Sequence, residues 1–293
     1  MTTFTQIWSE IANHTVLNRY KAANICKLLK LVVEQGLEGD VAECGVYKGG
    51  VSLLMALTLM ESLSAKVLHM YDSFEGLPDP NAAKDLPYYR KGALRAGLQQ
   101  VNELLAAHGA QGNASIHPGW FESVLPLLPP TQKFCFLHID CDLYESTKIC
   151  LNELYDRVVE GGIVVFDDYF DIGGGERLAV DEFLSEHGGE LLFAGPTEQV
   201  FFFKGRRCCP SDSRFLVAPS SPQDRPVSLE HLLADLSYKD ALAKGELMAE
   251  LPGGSLKAAA RLAEQTLKVY SYHQLVLQRM QELERGPYVT QPS

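Results

Sequence analysis

Two short acidic clusters carry the strongest chemical signal. The apolar run KFCFLHID, residues 133–140, leads into Asp140 and Asp142, and the run GIVVF, residues 162–166, leads into Asp167-Asp168-Tyr169. Neighbouring parallel strands end side by side at the ligand-binding edge of an open sheet. Three or four carboxylates would then converge on one point. Left unpaired they repel and raise one another's pKa. A divalent cation relieves that repulsion, and all-oxygen ligation suits Mg²⁺, Mn²⁺ or Ca²⁺. The plainer alternative is a set of solvated acids at strand ends, but solubility alone is a poor reason for acids at two successive strand ends.

A second signal lies upstream. Glu43-Cys44-Gly45-Val46-Tyr47-Lys48-Gly49-Gly50-Val51-Ser52 passes from a strand into a helix. Its glycines allow a ligand to approach the backbone, and the helix N-terminus offers N–H donors. The spacing is not the G-x-G-x-x-G dinucleotide fingerprint, and the same turn also serves as a simple strand-to-helix connection. The next strand ends in Asp72. An acid at that place can bond both hydroxyls of a ribose, or it can cap a turn. A glycine turn followed by an acidic strand end describes an adenosine pocket better than either does alone.

The segments GDVAECGVYKGG, YDSFEGLP, HIDCDLYEST and EGGIVVFDDY together resemble the macrocin O-methyltransferase family, over about residues 14 to 205. The likeness is more distant to catechol O-methyltransferase. It implies a class I, S-adenosylmethionine-dependent, Mg²⁺-dependent (or Mn²⁺-dependent) enzyme that methylates a sugar or phenol hydroxyl of a natural product. It also implies residue roles. Glu43, Gly45, Tyr47 and Ser52 would line the methionine moiety. Asp72 would hold the ribose, with Ser73 and Phe74 beside the adenosine, and Gly119-Trp120-Phe121 would flank the adenine. Asp140, Asp167 and Asp168 would bind the metal, and Asp140 would be the candidate base. Asp140 precedes the other two by 27 and 28 residues, as the family pattern suggests. Where the catechol enzyme carries a lysine, three residues beyond the first metal ligand, this chain has Leu143. The work of that base falls to Asp140 or to metal-lowered acidity of the hydroxyl. Rival readings are N-methylation on the same scaffold, a nicotinamide-dependent oxidoreductase and a non-catalytic S-adenosylmethionine-binding protein.

Other residues are weighed against packing. His138, inside a strand, reads first as a core or supporting histidine. Tyr144 and Tyr169 could touch substrate or simply pack. Residues 75–92, with Tyr88, Tyr89 and Arg90, have the composition of a mobile lid.

These residues need elements to place them. Apolar positions from Ile7 to Val33 recur at helical spacing, predicting a helix over residues 5–35. Strands are then expected at 41–45, 66–71, 114–117, 133–140, 162–166, 190–193 and 199–204. Helices are expected at 52–60, 94–108, 146–159 and 178–187. The alternation predicts an α/β fold, a doubly wound Rossmann-like seven-stranded sheet, with helices added at both ends. Residues 1–29 read as an N-terminal helical segment and 30–207 as the methyltransferase domain. Residues 208–227, with Pro210, Pro219, Pro222 and Pro226, read as a linker, and 228–293 as a C-terminal helical extension whose helices are expected at 228–243 and 255–285.

The whole chain sets the frame. Its 293 residues are 46% hydrophobic and 22% charged, with 26 Lys+Arg against 37 Asp+Glu, a net charge of −11. That is a globular profile. The acid excess argues against nucleic-acid and anionic-membrane partners, and no apolar stretch approaches a membrane span. The seven cysteines have no C-x-x-C spacing and several, inside apolar runs, look like small buried hydrophobes, although the Cys208-Cys209 pair is unusual. With no signal peptide read at residues 1–12, a reduced cytoplasmic protein is expected, with a small hydroxylated substrate and scope for homodimers or higher homo-oligomers.

Overall fold

The computed structural model describes residues 4–169, 174–189, 191–193, 199–205 and 216–217. The polypeptide divides into two units, residues 1–222 and 223–293. The expected helices at 228–243 and 255–285 and the Cys208-Cys209 pair lie outside the described residues.

The predicted helix over 5–35 is two helices, α1 (Phe4–Ile11) and α2 (Arg19–Glu34). The break has a local cause. Asn18 leaves the helical region and its side chain accepts hydrogen bonds from the Tyr20 and Lys21 amides, which caps α2. The boundary expected between residues 29 and 30 falls inside α2. Ile25, Leu28, Leu29 and Val32 of this helix are buried in the same core as the sheet, so α2 is an integral layer and not an added segment.

The strands follow in order: β1 (Asp40–Cys44), β2 (Leu68–Asp72), β3 (Ala114–Pro118), β4 (Phe134–Ile139), β5 (Val158–Phe166), β6 (Leu192–Phe193), β7 (Val200–Phe203) and β8 (Leu216–Val217). They form one sheet in the spatial order β3-β2-β1-β4-β5-β7-β6-β8. The first five are parallel, and β7, β6 and β8 run antiparallel to their neighbours. The expected seven strands become eight. The eighth is a two-residue strand inside the segment read as a linker, and it pairs with the outer edge of β6, whose backbone would otherwise be an unpaired edge.

The remaining helices are α3 (Gly50–Glu61), α4 (Leu98–Ala107), the single turn α5 (Phe121–Val124), α6 (Tyr144–Leu154) and α7 (Gly175–His187). Helix α4 starts four residues later than predicted because Leu94 has a positive φ of 57° and Gly97 is extended. Helix α6 ends at Leu154, short of the predicted Val159. There β5 begins at Val158, where two β-branched residues favour the sheet.

Period-two alternation sorts the core onto two faces. Val41, Phe136, Ile163, Val165, Phe201 and Phe203 pack with α1–α4. Ala42, Cys44, Leu137, Ile139, Val164, Phe166 and Phe202 pack with α6 and α7. Both faces of the parallel strands are therefore covered, which is why β4 is apolar almost throughout. No helix among the described residues is long and apolar enough to cross a membrane.

Candidate active site at the carboxyl edge of the sheet

The alternation that builds the core also sets the polar residues. Glu43 follows Val41 by two residues, His138 follows Phe136, and Asp167 follows Val165. All three fall on the face covered by α2 and α3. The register places Glu43 opposite His138, and His138 opposite Val165.

The loop after β1 is shaped by glycine. Gly45 has φ of +94°, and a Cβ there would lie 1.8 Å from the Asp140 carbonyl oxygen. Only glycine lets the ends of β1 and β4 approach so closely. Asp140 N–H donates to the Cys44 carbonyl at 2.9 Å, which locks the two ends together. Further on, Tyr47 adopts a left-handed φ of 50°, and Gly49, also left-handed, precedes α3 with no side-chain cap. The Gly50 amide in the first turn of α3 is taken by the His14 carbonyl at 2.9 Å, so the stretch before α2 closes over this helix end.

Asp72 holds this loop. Its Oδ2 accepts hydrogen bonds from the Val46 and Tyr47 amides at 2.8 and 3.1 Å, and its Oδ1 accepts one from the Phe74 amide at 2.7 Å. Three of a carboxylate's roughly four acceptor positions are thus taken. Gly119 donates its N–H to the Asp72 carbonyl at 2.8 Å, which brings Trp120 and Phe121 to the same edge. Ser73 is turned inward, with its hydroxyl donating to the Gly76 carbonyl and accepting from the Glu75 amide.

On the α2 and α3 face lies a buried polar chain. Ser52, from α3, donates its hydroxyl to Glu43 Oε2. Glu43 Oε1 lies 3.8 Å from His138 Nδ1, and His138 Nε2 lies 3.7 Å from Asp167 Oδ1. These last two are ionic contacts rather than hydrogen bonds. Burial alone would lower His138, but Asp167 and Glu43 on either side push it up to about 10, so it stands as an imidazolium between two carboxylates. Burial pushes Glu43 up, opposed by His138 and Ser52.

Asp167 is held from several directions. Lys21 Nζ, from α2, donates to its Oδ2 at 2.7 Å and to its carbonyl at 2.9 Å. Gln199 Nε2 donates to its Oδ1 at 2.6 Å, and Asn24 Nδ2 supports Gln199 at 3.0 Å. Burial would raise Asp167, but Lys21 and then His138 hold its carboxyl far below the usual range. Asp140 is the opposite case. Burial, and then the charges of Asp167 and Asp168, drive its carboxyl well above the ordinary value. Glu176 on α7 is completely buried, accepts from the Asp168 amide at 2.7 Å and is likewise raised by burial and by Asp168.

Ligand atoms of His138, Asp140 and Asp167 lie within 4.8 Å of one another. His138, a cation facing a carboxylate with each nitrogen, is a poor metal ligand in this state. Asp168 joins from the side, with its Oδ1 3.8 Å from Lys21 Nζ. The donor chemistry fits a hard divalent cation. The set is all-oxygen, and it holds a half-buried carboxyl, Asp140, whose charged form its neighbours disfavour.

Lys21, Asn24, Glu176 and Gln199 were not singled out in the sequence. For the first two a signal existed: a polar pair at i, i+3 beside the apolar positions Ile25, Leu28 and Val32. Leu143 is buried with Leu77 and Tyr89 and forms part of a small core. The segment read as a lid is bonded down. Asp85 Oδ1 accepts from the Tyr144 amide at the start of α6, and Lys84 Nζ sits 3.3 Å from the Tyr144 ring centre. Tyr144 is buried and Tyr169 bonds Asp181 at 2.7 Å, so both pack.

Comparison with known proteins points one way. A tetracenomycin-type enzyme of Streptomyces olivaceus, 8-demethyl-8-(2,3-dimethoxy-alpha-L-rhamnosyl)-tetracenomycin-C 4'-O-methyltransferase, is 34% identical over 170 residues, 55% of this chain and 64% of that protein. Demethyldecarbamoylnovobiocin O-methyltransferase of Streptomyces niveus is 30% identical over 169 residues, covering 53% of this chain and 62% of that one. The chain thus spans just under two thirds of the length of these two relatives. Among solved structures, the O-methyltransferase NovP superposes with a TM-score of 0.59 at 28% identity, over 66% of this chain and 83% of its own. The calicheamicin methyltransferase CalS11 gives 0.57 at 19% identity over 69% and 91%, a likeness of fold. The family described as macrocin-O-methyltransferase matches residues 5–191, well over half of the sequence, and the chain belongs to that family.

Proposed function

We propose that the chain is an S-adenosylmethionine-dependent O-methyltransferase. Its acceptor is a hydroxyl on a small natural product, a sugar or phenol, and its carboxylates Asp140, Asp167 and Asp168 hold Mg²⁺ or Mn²⁺. The observation that carries this reading is the junction of two sites at one strand pair. Gly45 and Asp140 touch through their backbones, so the loop after β1 and the acidic cluster after β4 are neighbours. A methyl donor in the first and an acceptor oxygen at the second would stand next to each other, and methyl transfer depends mainly on such alignment.

Glu43, Gly45, Tyr47 and Ser52 line the methionine end. Asp72 and Ser73 meet the ribose, and Gly119 and Trp120 flank the adenine. When bound, the sulfonium supplies an electrophilic methyl group and the cation lowers the proton affinity of the acceptor hydroxyl. Asp140, beside the acceptor, takes that proton on its carboxylate. His138 and Lys21 keep Asp167 ionised beside it. The name of the Streptomyces olivaceus relative, a 4'-O-methyltransferase of a rhamnosyl-bearing tetracenomycin, supports a sugar acceptor.

S-adenosylhomocysteine is expected to bind in calorimetry. Labelled-methyl transfer to a panel of hydroxylated acceptors is expected to stop in EDTA, to resume with Mg²⁺, and to fall at least about 100-fold in Asp140→Asn. Undiminished transfer in chelator or in that variant overturns the metal mechanism. Absence of S-adenosylhomocysteine binding overturns the whole reading.

A further inference from the structure

Lys21 stands where a helix does not favour it. It lies in the first turn of α2, where the helix dipole places positive potential, and its side chain is only 12% exposed. A buried ammonium at that end of a helix is costly unless carboxylates meet it. They do. Its Nζ lies 2.7 Å from Asp167 Oδ2, 2.9 Å from the Asp167 carbonyl and 3.8 Å from Asp168 Oδ1. With Gln199 on Oδ1, both oxygens of Asp167 have donors.

We infer that Lys21 is the internal counter-ion of the acidic cluster and competes with the divalent cation for Asp167 and Asp168, so that metal binding displaces its ammonium. The inference rests on the metal reading above and adds to it what sets the affinity. Without a metal, three converging carboxylates would repel, and Lys21 supplies part of the missing positive charge. With a metal, the ammonium and the cation would share one or two ligands at a few ångströms, where like charges repel strongly in a partly buried setting. Lysine suits this exchange, because its flexible stem lets the head swing away while α2 stays docked. Gln199 is neutral and can remain on Asp167. The affinity of the site is therefore tuned downward by a residue on a helix that precedes the glycine turn, and not by the ligands alone.

The test is Mn²⁺ binding to the full chain, read from the free-Mn²⁺ electron paramagnetic resonance signal. Wild type, Lys21→Met and Lys21→Arg are compared, with thermal melts in matched Mn²⁺. Lys21→Met is expected to bind Mn²⁺ about tenfold more tightly and to show a larger Mn²⁺-induced rise in melting temperature. Lys21→Arg, which keeps the charge, is expected to stay close to wild type. If Lys21→Met does not fold, Lys21→Gln takes its place with the same expectation. Unchanged or weaker Mn²⁺ binding in the neutral variants, with binding intact in wild type, overturns the inference and leaves the metal reading standing. Absence of Mn²⁺ binding in every protein overturns both.

Discussion

At the scale of single residues, one carboxylate often serves two structures. Asp72 is expected from sequence to face a ribose, and it is the last residue of β2. Its hydrogen bonds to Val46, Tyr47 and Phe74 also make it the brace of the glycine loop. Asp72→Ala should therefore act twice. Calorimetry should show S-adenosylhomocysteine affinity falling about tenfold or more, and chemical denaturation should show a loss of about 1–3 kcal/mol as partly buried N–H groups lose their acceptor. Unchanged affinity refutes the ribose role, and unchanged stability refutes the brace. The acids at 140, 167 and 168 were legible because three carboxylates at two strand ends are chemically conspicuous. His138 was legible only as a residue of the strand. Its imidazolium state depends on Glu43 and Asp167, which lie 95 residues before it and 29 after it in the chain.

At the scale of elements, helix existence was readable and helix ends were less so. Apolar positions resume at Leu17 and Tyr20 soon after Ile11, so periodicity alone joined α1 to α2. The Asn18 cap decides the break. Asn18→Ala should cost about 1 kcal/mol in a thermal or urea melt, and no change there refutes the capping role. The β2–β3 pair carries a pH response. His117 stacks on His69 with ring centres 5.2 Å apart and on Tyr71 at 4.7 Å. Burial, and then the charge of His69, lowers its pKa below the usual histidine value. The folded state thus prefers the neutral ring. Its stability contribution is full above the ordinary histidine range and is lost as pH falls through that range and below it. The urea midpoint should drop between about pH 7 and about pH 5, and His117→Gln should flatten that drop. An equally steep drop in the variant places the titration elsewhere.

At the scale of the whole molecule, the first unit, residues 1–222, carries the sheet and every site residue named above. A chain ending after Pro222 retains β8 as the partner of β6, and should unfold in one cooperative transition by circular dichroism. A multistep or absent transition refutes its independence. By itself the sequence determined the alternation of strands and helices, the acidic strand ends, the glycine turn and the family. Each of these is a local pattern of residue types, and local patterns need no partner to be read. Only the tertiary structure decided that Lys21 and Gln199 converge on Asp167 from opposite sides in sequence, that Asp72 is already braced by three amides, and that Glu176 joins the acids from α7. Those facts depend on strand order and on which face each helix covers. Neither is encoded within reach of one turn or one strand, because both arise from minimising exposed apolar surface over the whole sheet.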